Sequence, residues 1–227
     1  VVPHLICGGF TKEETEDALI DLNYLGIHNV LVVRGDGDAV RGRFTPEPNG
    51  HEYALDLLKQ VVDMNNGSYC DDDLESPVPT SFSPGVAGYP EKHAESPNLE
   101  SDVKYLKAKV DAGAEYIVTQ MFFDNQKYFS FVKRCRDEGI TVPIIPGLKP
   151  ISIKKHLNLL PQTFHVDIPP ELAREIEKCS NNSAVRELGV EWAIHQSKEL
   201  VQQGVSVIHF FTMGRSDNIH KIVGAVL

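Results

Sequence analysis

The sequence predicts an α/β fold, a (β/α)8 TIM barrel that is incomplete at its N-terminus. Apolar strands alternate with amphipathic helices, which indicates a parallel sheet with right-handed crossovers. No G-x-G-x-x-G follows a strand, so an open sheet that binds a dinucleotide at one switch point is disfavoured. Polar residues instead follow many different strands, as on the active face of a barrel. These residues are His4, Arg34 with Asp36, Tyr89 with His93, Gln120, Lys149 and Arg215.

The predicted strands are short, β-branched and apolar on both faces, as in a buried parallel sheet. They lie at about 2–7, 28–33, 81–88, 115–121, 142–147 and 205–211. The helices are predicted near 12–25, 50–65, 98–112, 126–138, 152–159, 169–178, 183–203 and 216–226. For the segment 161–168, a further short strand remains an open alternative.

Capping residues support these helix boundaries. Thr11 and Glu14 form a capping box before the apolar positions of the first helix. Glycine ends four helices within about three residues of the next strand, because only glycine adopts the left-handed conformation cheaply. These glycines are Gly26, Gly113, Gly139 and Gly204.

The domain organisation follows from the strand count. Residues 1–7 already have the pattern of a strand interior, and six or seven strands fall short of eight. We therefore expect one catalytic barrel domain over residues 1–227 that lacks about one or two N-terminal βα units.

Composition excludes several function classes. The net charge is -10 and the acidic residues are scattered, whereas a nucleic-acid partner would call for a basic stripe. No apolar run approaches the roughly 20 residues that a membrane span needs. The four cysteines form no C-x-x-C pair, and the nine histidines show no metal-ligand spacing. These features predict reduced thiols, no metal and a cytoplasmic location.

Two polar groups could carry chemistry, each with a structural alternative. Arg34 and Asp36 flank Gly35 and could bind an anion and an electron-rich ring edge, or form a structural ion pair. Tyr89 and His93 follow a strand through a rigid Gly-Tyr-Pro turn, although a lone histidine is more often a surface or core residue.

The remaining candidates are weaker. The Gln120 carboxamide could meet a pterin-like ring edge or be a satisfied core amide. Lys149 could form a Schiff base in an aldolase, but a solvated loop lysine is favoured. Asp102 and Lys109 are two helical turns apart, and spacing alone predicts a solvated face.

Several segments together resemble the methylenetetrahydrofolate reductase family. Each segment is weak alone, but they occur in family order over essentially the whole chain. They are residues 3–7, 33–36, 53–54, 87–90 with His93, 111–124, 144–147 and 209–212.

The resemblance implies a (β/α)8 barrel that holds FAD. In this family NADH or NADPH reduces the flavin and leaves, and the flavin then reduces 5,10-methylenetetrahydrofolate to 5-methyltetrahydrofolate. Asp36 matches a carboxylate that tunes the flavin, while the folate substrate would contact Gln120, Phe211 and Arg215. The implied FAD contacts are His4, Arg34, Gly35, Asp36, Tyr53, Ala54, Tyr89, His93, Asp102 and Lys109.

The chain departs from the family pattern at several points. Gly37 replaces the usual proline after Arg-Gly-Asp, and Phe211 replaces a tyrosine. The family's catalytic acid, a glutamate on the first strand, is expected to lie outside this chain. The family's eukaryotic regulatory domain is not expected here, which favours a bacterial-type enzyme. Family members are usually oligomers, so a homo-oligomer is expected.

Two alternatives stay open. One is a lysine Schiff-base aldolase on a TIM barrel, and the other is a non-catalytic barrel that binds flavin or folate.

Overall fold

The structure is a computed structural model that describes residues 1–35, 44–214 and 216–226. Within these residues, strands alternate with helices, and three helices separate the last two strands. The elements are β1 (His4–Ile6), α1 (Lys12–Tyr24), β2 (Asn29–Val33), α2 (Ala54–Asn65), β3 (Ser83–Gly88), α3 (Leu99–Asp111), β4 (Tyr116–Met121), α4 (Asn125–Asp137), β5 (Ile144–Leu148), α5 (His156–Phe164), α6 (Pro170–Lys178), α7 (Asn182–Gln202), β6 (His209–Phe210) and α8 (Asp217–Val226).

The strands form one six-stranded sheet in the order β1-β2-β3-β4-β5-β6. Pairing is parallel between β1 and β2, between β2 and β3, and between β5 and β6. The register places Ile6 opposite Val33 and Gly147 opposite His209. The predicted α/β class with a parallel sheet is therefore confirmed.

Contacts divide the chain into two compact units. Unit 1 comprises Val1–Ala87 and Tyr105–Ile117, and unit 2 comprises Gly88–Lys104 and Val118–Leu227. None of the helices in the described ranges is long and apolar enough to cross a membrane.

The core of unit 1 lies between β2 and α2. Val30 and Val32 on β2 and Leu57 on α2 are fully buried. The Tyr116 hydroxyl donates to the Val30 carbonyl over 2.8 Å, and its ring lies where a Cβ on Gly85 would be. These contacts leave the ends of the unit 1 strands in a fixed position.

The core of unit 2 surrounds the segment after β4. Phe123 is buried with residues of α5, α6 and α7, and the Trp192 indole donates to its carbonyl over 3.0 Å. Gly189 on α7 lies against the backbone of Ile151, so α7 fixes the segment that follows β5.

The structure corrects two predicted elements and excludes the alternative of a short strand at 161–168. The segment 161–168 is not a strand, because α5 runs to Phe164 and His165 ends it in the left-handed conformation, with φ 54°. The helix predicted at 152–159 is displaced accordingly, since α5 buries Leu160 and continues through Pro161. The strand predicted at 205–211 is reduced to His209–Phe210.

Candidate functional site

Unit 1 contributes the residues that follow β2. Gly35 has φ +89°, a conformation that favours glycine, and it directly follows Arg34. The Arg34 guanidinium lies 5.3 Å from the centre of the Phe44 ring. The backbone carbonyl of Arg34 accepts the Cys7 N–H at 3.2 Å. The cation is thus held at the carboxyl ends of β1 and β2. Asp36, like Arg215, lies outside the described residues.

The structure corrects the predicted place of His4. It is the first residue of β1 and pairs with Leu31, whereas the strand ends at Ile6. At about 3.3 Å per residue, His4 lies roughly 10 Å before the level of Arg34. His4 is therefore not at a carboxyl strand end, although its side chain is exposed.

Two further predicted FAD contacts begin α2. Tyr53 is the N-cap residue, in extended conformation and without a side-chain capping bond, and it is 52% exposed. Ala54 is the first helical residue. The two predicted contacts thus lie together at the N-terminus of α2.

Lys109 lies in the last turn of α3, where its ammonium is partly buried. It donates to the carbonyl of Ala87 over 3.0 Å, near the end of β3. The solvated face that spacing alone predicts is therefore wrong for Lys109, which brings a positive charge to a strand end.

Unit 2 begins with the turn that carries Tyr89 and His93. Their rings meet edge to face, with centres 4.7 Å apart and planes at 80°. Lys92 between them has φ 93°, and its ammonium donates to the carbonyls of His93 (3.2 Å), Ala94 (3.5 Å) and Ser96 (2.8 Å). The turn is thus closed by one of its own side chains.

Asp102 on α3 binds the same turn through both oxygens of its carboxylate. One carboxylate oxygen accepts the His93 N–H at 3.2 Å, and the other accepts the Ser96 hydroxyl at 2.7 Å. Asp102 is only 8% exposed, so the solvated face predicted from spacing is wrong here too. The carboxylate fixes the position of His93 through its backbone.

A second carboxylate in the turn was not singled out by the sequence. The Glu91 side chain is 9% exposed and accepts the Asp167 N–H at 3.1 Å, with the Lys127 ammonium 3.8 Å away. The pKa of Glu91 is raised to about 6: burial is the largest cause, the charges of Asp167 and Asp124 add to it, and the Asp167 N–H and Lys127 oppose it. The only sequence signal was its place between Tyr89 and His93.

The ends of β4 and β5 and the residue after β6 carry the predicted folate contacts of unit 2. The Gln120 carboxamide oxygen accepts the N–H of Met121 at 2.9 Å. The Phe211 ring lies over Gly147, where an added Cβ would come within 2.7 Å of it. Because β4, β5 and β6 are neighbours, an amide donor and an aromatic ring share one edge of the sheet.

Lys149 directly follows β5 on this edge. Burial lowers its pKa, and no hydrogen-bond or ion-pair partner of its ammonium was found within the described residues. The pKa of His156 is lowered too, first by burial and then by Lys149. His156 accepts the Ser152 N–H at 3.3 Å through Nδ1, so the neutral ring carries its proton on Nε2.

Unit 1 also contains a cavity of about 340 Å³. His51 in its lining is 4% exposed; its Nε2 lies 2.5 Å from Gln60 Oε1, and Nδ1 has no hydrogen-bond partner among the described residues. None of the predicted site residues that the structure describes lines this cavity. Its lining residues are Lys12, Glu16, His51, Asp56, Lys59, Gln60, Asp63, Ser68, Tyr69 and Cys70.

The predicted residues therefore form separate groups within the units. Tyr89, His93 and Asp102 come together in one turn of unit 2, and Gln120 and Phe211 lie on one sheet edge of that unit. Among the described residues, no group of three or more His, Cys, Asp or Glu side chains could hold a metal ion.

Comparison with known proteins relates the chain to one family. A family model described as methylenetetrahydrofolate reductase matches residues 1–226. The 5,10-methylenetetrahydrofolate reductases of Salmonella typhimurium and Escherichia coli are each 34% identical over 224 residues, covering 97% of this chain and 68% of theirs. Methylenetetrahydrofolate reductase (NADH) 1 of Arabidopsis thaliana is 34% identical over 92% of the chain, which spans only 35% of that relative.

A solved structure shares the fold. It is an uncharacterized protein from Clostridium thermocellum described as binding two copies of 5-methyl-5,6,7,8-tetrahydrofolic acid, with a TM-score of 0.56 and 17% identity over 98% of this chain and 70% of that one. Because the family model spans nearly the whole sequence and the bacterial relatives are matched over 68% of their length, this chain belongs to the methylenetetrahydrofolate reductase family.

Proposed function

We propose that this chain forms part of the catalytic (β/α)8 barrel of an FAD-dependent methylenetetrahydrofolate reductase, incomplete at its N-terminus as the sequence predicts. NADH or NADPH would reduce the flavin, and the flavin would then reduce 5,10-methylenetetrahydrofolate to 5-methyltetrahydrofolate. The family match over residues 1–226 carries the proposal. The Clostridium thermocellum protein, described as binding 5-methyltetrahydrofolic acid on a similar fold, adds support for a folate substrate.

The residues present fit FAD by their chemistry. Arg34 and Lys109 are cations near strand ends, as a pyrophosphate requires. Gly35 has φ +89°, a backbone conformation that favours glycine. Because glycine has no Cβ, a ligand could approach the backbone closely at this position. Bound FAD would accept and donate hydride, while the protein supplies orientation and charge.

Further FAD contacts are proposed on the family pattern. They involve His4, Tyr53, Ala54, Tyr89 and His93. Asp102 would act mainly through the turn, because both of its carboxylate oxygens already accept hydrogen bonds from it.

The proposed substrate contacts Gln120 and Phe211 lie at the carboxyl ends of β4 and β6. The Gln120 NH2 group would donate to an acceptor on the pterin ring, since its oxygen is engaged by Met121. The Phe211 ring would cover an aromatic part of the folate, and Arg215 would bind a folate carboxylate.

Asp36 is proposed to tune the flavin. A carboxylate near the ring disfavours an anionic reduced flavin and so makes it a better hydride donor. In Asp36→Asn we expect an altered flavin potential and a slower folate half-reaction. Unchanged half-reactions would refute the role.

The experiment that tests the proposal begins with flavin binding. Purified chain is mixed with FAD and dialysed, and its absorption spectrum is followed under anaerobic conditions while NADH or NADPH is added. We expect a yellow protein whose flavin bleaches, and a spectral shift on adding 5-methyltetrahydrofolate. A colourless protein would overturn the proposal, and a yellow protein that neither nucleotide bleaches would favour a non-catalytic binder.

Turnover is a separate expectation. The family's catalytic glutamate is not assigned to any residue of this chain, so residues 1–227 alone should not complete the folate reaction. Measured turnover by this polypeptide would overturn the assignment of the acid to a residue outside it.

A lysine aldolase is the second candidate, favoured by one observation. Lys149 follows a strand end, and burial lowers its pKa, as a Schiff-base lysine requires. Borohydride trapping with simple ketones and aldehydes, read by mass spectrometry, tests this function. We expect no adduct, and an adduct confined to Lys149 and lost in Lys149→Met would favour the aldolase.

Assembly and location complete the proposal. We propose a homo-oligomer in the cytoplasm, on the family pattern. Light scattering on the purified chain measures its mass, and a monomeric mass of 25.2 kDa would contradict the oligomer.

A further inference from the structure

Glu91 joins the turn at residues 89–93 to two other segments of unit 2. It accepts the N–H of Asp167, which lies between α5 and α6, at 3.1 Å. Lys127 in the first turn of α4 lies 3.8 Å from Glu91 and 3.1 Å from the Asp167 carboxylate. We call Glu91, Lys127 and Asp167 the Glu91 cluster.

The charges of the Glu91 cluster do not balance. Glu91 and Asp167 are two carboxylates, and Asp124 adds a third from the N-terminus of α4, while among the described residues one ammonium, that of Lys127, acts on Glu91. The Glu91 side chain is also the most buried of the three cluster members. Burial and the two aspartates therefore oppose its ionisation, and the Asp167 N–H and Lys127 favour it.

We propose that Glu91 is a positioning residue that holds the turn carrying Tyr89 and His93 against Asp167 and α4, and that it does so more firmly when protonated. The inference rests on the proposed function, because the turn matters for FAD binding only if Tyr89 and His93 contact the cofactor. The carbonyl oxygen of a protonated Glu91 still accepts the Asp167 N–H, whereas the ionised carboxylate is buried beside Asp167 and Asp124, which oppose its charge. Glu91 itself does not need to touch the cofactor.

The predicted signature is a pH dependence that belongs to Glu91. Its pKa is raised to about 6, so the carboxylate changes charge between roughly pH 5 and 7. Across this range FAD affinity should fall about three- to tenfold, within the ratio that linkage allows for a pKa raised from its ordinary 4.5 to about 6. The protection of the Asp167 amide against hydrogen exchange, corrected for its intrinsic rate, should fall in parallel.

Three variants separate positioning from folding. Glu91→Gln keeps an uncharged acceptor and should hold FAD affinity near the low-pH value of the wild type at every pH. Glu91→Ala removes the acceptor and should bind FAD more weakly than Glu91→Gln throughout. Asp137→Asn is the matched control, because it removes a carboxylate from an exposed pair with Lys133 in the same unit, and it should follow the wild type.

The measurements are the FAD dissociation constant by flavin fluorescence and amide exchange by mass spectrometry from pH 5 to 8. Other titrating groups contribute equally to wild type and Glu91→Gln, so the ratio of the two proteins isolates Glu91. Identical profiles for both proteins in both measurements would overturn the inference. If the wild type binds no FAD, the proposed function fails, whereas unchanged Asp167 protection in Glu91→Gln shows that the Glu91 contact itself is wrong.

Discussion

Replacing Gly189 with alanine tests how closely α7 packs against the segment after β5. A Cβ on Gly189 would overlap the carbonyl oxygen of Ile151, with the carbonyl carbon at 2.8 Å and the nitrogen at 3.0 Å. Backbone atoms cannot rotate away, so the overpacking cost should reach the upper end of its usual range, about 3 kcal/mol. Alanine gains about 1 kcal/mol over glycine in a helix interior, so the net loss should be about 2 kcal/mol.

Gly224 on α8 provides the matched control. It is also a helical glycine, but a Cβ there would meet no atom within 4 Å. Gly224→Ala should therefore stabilise the chain by about 0.5–1 kcal/mol. Urea unfolding followed by circular dichroism should separate the two variants by roughly 3 kcal/mol. Equal stabilisation by both substitutions would show that α7 does not contact Ile151, and the placement of Lys149 two residues earlier would lose its support.

Three further outcomes follow from single contacts. Tyr116→Phe removes the 2.8 Å bond to the Val30 carbonyl and should lower the free energy of unfolding by about 1–2 kcal/mol, measured in urea; no change would contradict the bond. Burial lowers the pKa of Lys149, so its charge destabilises the folded state at every pH below the pKa of the unfolded chain. Lys149→Met should therefore be more stable than the wild type at pH 7, with an advantage that shrinks towards pH 10.5. An advantage independent of pH would contradict this reasoning. The pKa of the Cys70 thiol is raised to about 11, first by partial burial of the sulfur and next by Glu16. Glu16→Gln should therefore speed the alkylation of Cys70 by iodoacetamide at pH 8, because more of the thiol would be ionised. An unchanged rate would count against the contact with Glu16.

Local backbone chemistry made the strand and helix order predictable. The four glycines expected to end helices all have positive φ, at 71° for Gly26, 111° for Gly113, 77° for Gly139 and 87° for Gly204. The capping box of Thr11 and Glu14 is present with both bonds. Such signals depend on a few neighbouring residues, so the sequence contains them in full.

Tertiary contacts explain the segments that could not be predicted. Pro161 suggests a helix end, yet α5 continues to Phe164 because Leu160 and its neighbours are packed in the core of unit 2. His4 was expected at a strand end, but the register of β1 with β2 is set by pairing between segments about 27 residues apart in sequence. Neither result follows from local propensity.

Site residues were predictable as types but not as roles. The Asp102 and Lys109 side chains have the spacing of a solvated helix face, and only the fold brings them to His93 and Ala87. Glu91 was missed because its partner Asp167 is 76 residues away. A carboxylate whose partners are distant backbone groups has no local sequence signature.

The turn after β3 shows why such carboxylates matter for a binding site. Lys92 has φ 93°, and a non-glycine residue in such a conformation costs about 1–3 kcal/mol. The chain offsets this strain with the three carbonyls that the Lys92 ammonium binds and with the two bonds to Asp102. The turn is therefore formed before any ligand arrives, so ordering Tyr89 and His93 would cost a bound cofactor little of its affinity. Lys92, a loop residue, and Asp102, which the sequence places on a solvated helix face, thus stabilise the turn that carries Tyr89 and His93.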